Sequence, residues 1–183
     1  SALIAQLVSL PSYHYIAETL KIIDIEAIYT VRNFVESTLA HELASLWYEI
    51  YERLDDKSPY RITANAIASR SLKNVCLSYL MRLNDSSIYQ LAFKQFQQTN
   101  NMTDALAAMR YLSHYDCPER DAVLDAFYQA WQHDSLVMDK WLSIQALSEC
   151  HDTFDRIQRL AQSQHFDLKI PNKVRALLVQ FAC

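Results

Sequence analysis

Apolar side chains recur along this chain at steps of three and four, the period that gathers them on one face of an α-helix. The longest such run follows Asp24, where Ile28, Val31, Val35, Leu39, Leu43, Leu46, Ile50 and Leu54 form one stripe over roughly seven or eight turns. The pattern predicts a central packing helix, with Arg32, Glu36, Glu42, Glu49 and Glu52 on its solvated side. Before it, Ala2 to Leu10 reads as a short apolar helix stopped by Pro11, and Ser12 caps a segment from Tyr13 to about Ile23. After it, Asp55-Asp56-Lys57-Ser58-Pro59 is a charged break that a proline keeps from being helical. The next helix is expected from about Thr63 to Leu83, carrying Ile67, Val75, Leu77 and Leu80 with Arg70 and Lys73 among them, and Asn84-Asp85-Ser86 ends it.

The second half is punctuated in the same way. A helix from Ser87 to Gln98 meets the polar elbow Thr99-Asn100-Asn101, and a new helix starts at once from Met102 to about His114. Thr103 or Asn101 is its N-cap and Asp104 lies in its first turn, so the stretch is a helical hairpin. Ala105, Ala107 and Ala108 give this helix a face small enough for close approach by another helix or domain. Asp116-Cys117-Pro118-Glu119 starts a helix that reaches about Gln132. His133-Asp134-Ser135 reverses the chain, and helices follow from Leu136 to about Ser148 and from Thr153 to about Ser163. Asn172, after Ile170-Pro171, is expected to cap the final one. About eight to ten helices on short connectors make an all-α fold of antiparallel hairpins, stacked in a superhelical, α-solenoid-like array or an irregular bundle.

Composition sharpens this reading. The 183 residues include no glycine, where about a dozen would be usual. Positive-φ turns must therefore be few, or served by Asn and Asp. The length suits a single helical domain or large subdomain, residues 1–183, and both ends read as cuts in a longer chain. A net charge of −4 with no basic cluster argues against nucleic acid. No apolar run approaches the ~20 residues of a membrane span, so no transmembrane segment is expected. Cys76, Cys117, Cys150 and Cys183 form no C-x-x-C pair and read as free thiols of a reducing, cytoplasmic setting. The triplets Asn84-Asp85-Ser86 and Asn101-Met102-Thr103 fit a glycosylation pattern that matters only in a secreted chain.

The candidate chemistry is thin. His41-Glu42-Leu43-Ala44-Ser45 begins like the zinc-binding H-E-x-x-H helix, but the second ligand position is Ser45 and the downstream carboxylate position falls near Ala64. His14, His114, His133, His151 and His165 are scattered, and His151 beside Cys150 projects about 100° away from it on a helix. Without glycine there is neither a nucleophile elbow nor a phosphate-cradling loop. Trp47, Trp131 and Trp141 sit in apolar helical settings and read as core. No catalytic and no metal-binding residue is assigned. Arg61, Arg70 and Arg175 remain as guanidinium groups suited to carboxylate contacts.

Several stretches occur together in one order: Tyr60-Arg61, Ile67-Ala68-Ser69-Arg70, Asn74-Val75-Cys76-Leu77, Lys94-Gln95-Phe96, Asn100 to Ala108, Leu136 to Trp141, and Pro171 to Arg175. On these motifs the chain resembles the C-terminal helical region of the bacterial-type aminopeptidase N family, zinc-dependent gluzincin metallopeptidases. The resemblance runs over most of the chain but only over the family's non-catalytic end. It implies a domain that caps the catalytic domain of the same polypeptide and admits only short peptides to an internal chamber. The zinc, its ligands and the catalytic glutamates belong to the parent's other domains and match no position here, so this stretch alone is expected to be inactive and to need no cofactor. Asn100, Asn101, Met102, Thr103, Asp104 and Arg175 are the candidate domain-interface or peptide-facing residues. The chain departs from the family at Ile170 in an Asn-Pro-Asn motif, and at Ser135 and Val179 where the family has glycine. A free-standing helical scaffold that binds a peptide or partner helix is the alternative.

Overall fold

A computed structural model describes residues 2–182, and these are helical with no strand among them. They divide into two compact units. One takes the chain as far as Ile88 and adds Thr99–Asp104, and the other takes Tyr89–Gln98 and continues from Ala105 onward.

The first unit holds α1 (Ala2–Val8), α2 (Tyr13–Glu18), α3 (Ile25–Glu42), α4 (Ala44–Leu54) and α5 (Ala64–Met81). The long helix expected after Asp24 is two helices, α3 and α4, broken at Leu43, whose backbone leaves the helical region at φ −112°, ψ 17°. Burial also corrects the expected stripe. Val31, Val35, Leu43 and Leu46 are exposed, whereas Ile28, Ala40, Trp47 and Tyr51 are buried. The break has a packing cause: it turns Trp47 inward to stack on Tyr79 of α5 at 4.5 Å between ring centroids, with its indole N–H donating to the Leu39 carbonyl at 2.9 Å. Burying large aromatic surface outweighs continuing a leucine stripe.

The expected solvated side of α3 needs the same correction. Arg32 and Glu36 pair at 3.1 Å, Glu36 takes Arg82 at 2.6 Å, and Arg32 donates to the Pro11 carbonyl while lying over the Tyr13 ring. These groups fasten α2 and α5 to α3. The second helix stops at Glu18 and not near Ile23, and Asp24, itself extended, caps α3 by accepting from the Ala27 N–H at 2.9 Å. Thr63 caps α5 in the same manner. That helix supplies the core through Leu72, Cys76, Leu77, Leu80 and Met81, and the Tyr79 hydroxyl donates to the Val8 carbonyl at 2.6 Å, pinning α1. Asn84, just past α5, has φ 54°. It is the one described residue with positive φ, and an asparagine fills the place a glycine would take.

The second unit is built from most of α6 (Ser86–Gln98), α7 (Met102–Leu112) from Ala105, α8 (Pro118–Trp131), α9 (Ser135–Ala146) and α10 (Thr153–Ala161). It closes with α11 (Pro171–Val174), a π-turn (Arg175–Val179) and α12 (Gln180–Ala182). Pro118 and Pro171 each occupy the first turn of their helix, where a missing N–H costs nothing. This moves the last cap to Ile170, so Asn172 lies inside the helix and does not cap it. α9 is the buried element, with Met138, Trp141, Leu142 and Ile144 in the core against Val123, Leu124 and Phe127 of α8. The Trp141 indole donates to the Leu124 carbonyl at 3.0 Å. Buried Lys173 joins α11 to α9 through Asp139 at 2.7 Å and the Ser135 carbonyl at 3.0 Å.

Candidate functional site

Five of the residues that carried chemical interest, Arg61, Arg70, Asn100, Asn101 and Asp104, line one cavity of the first unit, of about 320 Å³. Its floor is a buried ion pair. Lys73, placed inward by its position one turn before Cys76 and Leu77, meets Asp104 at 2.7 Å, and both side chains are about 95% buried. The other Asp104 oxygen accepts from the Asn74 amide at 2.8 Å, and Asn101 adds a donor at 3.3 Å. Asn101 is also the cap of α7, since its Oδ1 accepts from the Asp104 N–H at 3.0 Å. The elbow is therefore tied to α5 and to its own helix at once.

The connector Asp55 to Thr63 makes the wall. Burial raises the Asp55 carboxyl, but hydrogen bonding and charge from Lys57 and Lys73 outweigh it, and the carboxyl ends below its ordinary range. The hydroxyl and N–H of Ser58 lower Asp56, with a smaller pull from Arg61. Asn100 donates to the Ser58 carbonyl at 3.0 Å, joining connector and elbow. At the rim, Arg70 places two N–H groups on the Arg61 carbonyl, at 3.3 and 3.2 Å, and lies 5.1 Å from the centre of the Tyr60 ring. Beneath the floor, Tyr51 lies 6.0 Å from the Lys73 ammonium, and burial followed by the Asp55 and Asp104 carboxylates pushes its hydroxyl pKa upward.

Of the residues singled out in the sequence, Asn100, Asn101 and Asp104 line this cavity together with Arg61 and Arg70. Met102 and Thr103 do not line it. Arg175 is exposed on the π-turn of the other unit and does not line this cavity. Asp104 is only 3% exposed, so it braces the elbow from inside and offers little surface. Ala108 is fully buried, with Ala105 and Ala107 half-buried, so part of the small-residue face is used within the chain. The residue that sequence reasoning passed over is Lys73. Its signal was its register with Cys76, Leu77 and Leu80, which puts an ammonium on a core stripe and demands a buried anion.

A second cavity, of about 350 Å³, lies in the other unit beside Trp141, Arg156 and Arg159. A bracket of Arg120, Asp152, Arg156 and Asp121 supports it, with Asp152 receiving Arg120 at 3.0 Å and Arg156 at 2.7 Å. Burial raises the Asp152 carboxyl, yet the hydrogen bonds from Arg156 and Arg120 prevail and bring it to about 2. Among the described residues no group of three His, Cys, Asp or Glu side chains is placed to hold a metal ion. His41 and Glu42 are exposed at the end of α3 with Ser45 a turn further on, so these residues do not fit a zinc ion. The two cavities offer polar surfaces for binding.

Comparison with known proteins extends this picture. Residues 1–183 match the family model described as a domain of unknown function (DUF3458_C) with ARM repeats, the stacked superhelical array of helices expected from the sequence. The chain is 39% identical over 181 residues to aminopeptidase N of Escherichia coli (strain K12), covering 99% of this chain and 21% of that protein. It is 36% identical over 178 residues to aminopeptidase N of Haemophilus influenzae, covering 96% of this chain and 20% of that protein. Among solved structures, Legionella pneumophila aminopeptidase A in complex with aspartic acid superposes with a TM-score of 0.86 at 30% identity, covering 98% of this chain and 22% of that one. The chain thus spans about a fifth of the length of the curated relatives it matches.

Proposed function

The chain belongs to the DUF3458_C family of ARM-repeat domains, and from that premise we propose that it is the non-catalytic C-terminal domain of a zinc aminopeptidase that hydrolyses N-terminal residues from peptides. In this reading the domain caps the catalytic domain of the same polypeptide and restricts which substrates reach it. The observation that carries the proposal is the alignment to aminopeptidase N over 99% of this chain and 21% of the relative. The zinc and its chemistry belong to the remainder of the parent.

Exposed apolar side chains support a covered face. Leu7, Ile22, Ile25 and Phe34 of the α1–α3 segment are 74%, 86%, 76% and 69% exposed. Four large side chains left in water on one segment are the apolar surface such a face would use. The role is steric and positional: a helical wall excludes folded protein and leaves chemistry to the domain it covers.

The test is to titrate this chain into the parent's catalytic portion lacking it, following hydrolysis of an aminoacyl anilide and of peptides of increasing length. A saturable change in rate that depends on peptide length supports the cap. Rates unchanged at every length would favour the free-standing scaffold.

A further inference from the structure

The cavity between the Asp55–Thr63 connector, α5 and the Asn100–Asp104 elbow carries more cationic than anionic side chains in its lining. Three cationic side chains line it, Arg61, Arg70 and Lys73, against the carboxylates of Asp56 and Asp104. The lining is therefore net positive in a chain whose net charge is −4. Two of those charges are committed. Lys73 is spent on Asp104, and Arg70 is turned onto the Arg61 carbonyl and the Tyr60 ring. Arg61 has no ion pair of its own among the described residues, although its charge reaches Asp56, and its backbone is held by Arg70. Arg61 thus brings a guanidinium, a planar fork of donors suited to one carboxylate, to the lining of a polar cavity.

We propose that this cavity is a carboxylate subsite, in which Arg61 takes the carboxylate of a peptide and Asn65 and Ser69 of α5 complete its hydrogen bonding. A carboxylate suits the site better than a phosphate dianion, because Asp56 and Asp104 share the lining and would repel a second negative charge. The volume, about 320 Å³, is at the small end of ligand pockets and admits one or two residues of a chain. The carboxylate has two sources, the free C-terminus of a peptide or an acidic side chain within it. That the ligand is a peptide rests on the aminopeptidase reading. The binding itself is a property of this chain and is measured without any catalytic domain.

The experiment is an amide-resolved NMR titration of the 183-residue chain with three probes: acetyl-trialanine with a free carboxylate, the same peptide as its amide, and acetyl-Ala-Glu-Ala-amide. The expected result is a dissociation constant on the order of 1 mM for at least one carboxylate-bearing probe. Shifts should gather at residues 58–70 and 99–104, with binding at least about tenfold weaker for the neutral amide. Whichever acidic probe binds identifies the source. Arg61→Met, a change at an exposed side chain, should weaken that binding at least about tenfold with the spectrum otherwise retained, and Arg61→Lys should restore only part of it. Equal binding of acid and amide, no binding of either acidic probe, or unaltered binding by Arg61→Met would overturn the proposal. Failure here leaves the capping role standing, and failure of docking leaves this subsite standing.

Discussion

Replacing Asp104 by alanine removes the carboxylate that lies 2.7 Å from the Lys73 ammonium, leaving Asp55 at 3.4 Å among the described residues. Lys73 is about 95% buried and cannot swing into water without opening α5 from the elbow. Asn74 and Asn101 each lose one acceptor in the same step, although Asn101 keeps the Thr99 hydroxyl at 2.9 Å. Breaking a buried pair costs about 3–5 kcal/mol because a desolvated charge is left behind. The surviving Asp55 contact puts the expected loss near the lower end, about 3 kcal/mol. For a chain of this length that is a fall in Tm of about 6–12 °C. The assay is thermal and urea unfolding followed by circular dichroism on wild type, Asp104→Ala, Lys73→Met and the double variant. The double variant should recover about 2 kcal/mol relative to the sum of the single changes, since it removes both charges together. A loss below about 1 kcal/mol for Asp104→Ala, or additivity within about 0.5 kcal/mol, would refute the buried bracket.

Three further outcomes follow from the same structure. Asp152 is held at about 2, below its ordinary 3.8, so it contributes stability above pH 4 that is lost as pH falls through 4 towards 2; Asp152→Asn should abolish that slope and, after solvent screening, cost about 1 kcal/mol at neutral pH. Asn101→Ala should lose about 1 kcal/mol through the cap of α7, whereas Thr103→Ala, at an exposed position, should be nearly neutral by the same melts. Burial pushes the Cys76 thiol up to about 11, so iodoacetamide at pH 8 should leave it unmodified in the native chain while half-buried Cys150 reacts first of the three described cysteines, as peptide mass spectrometry would read.

Local chemistry made most of the helices legible. Thr63 and Asp24 mark helix starts through side-chain caps, and Pro118 through its fixed φ and missing N–H, none of which requires knowledge of distant packing. What the pattern could not decide was rotation. A run from Ile28 to Leu54 with the right period conceals the break at Leu43, because the face that wins is chosen by Trp47 meeting Tyr79, residues 32 positions apart. Arg32 and Glu36 look solvated for the same reason: their partners, Arg82 and the Pro11 carbonyl, belong to other elements. Half of the candidate site was readable. Asn100, Asn101 and Asp104 stood out in the elbow, but their cavity depends on Lys73 and Arg61, which reach it only through the fold of α5 and its connector.

The central claim is that this domain covers a catalytic domain through the apolar side chains of α1–α3, and sedimentation tests it most directly. The chain, mixed with the parent's catalytic portion lacking this domain, should sediment as a 1:1 complex, and Ile22→Asp with Phe34→Asp should weaken that complex at least about tenfold. Separate sedimentation of the two components, or a double variant that binds as well as wild type, would contradict it.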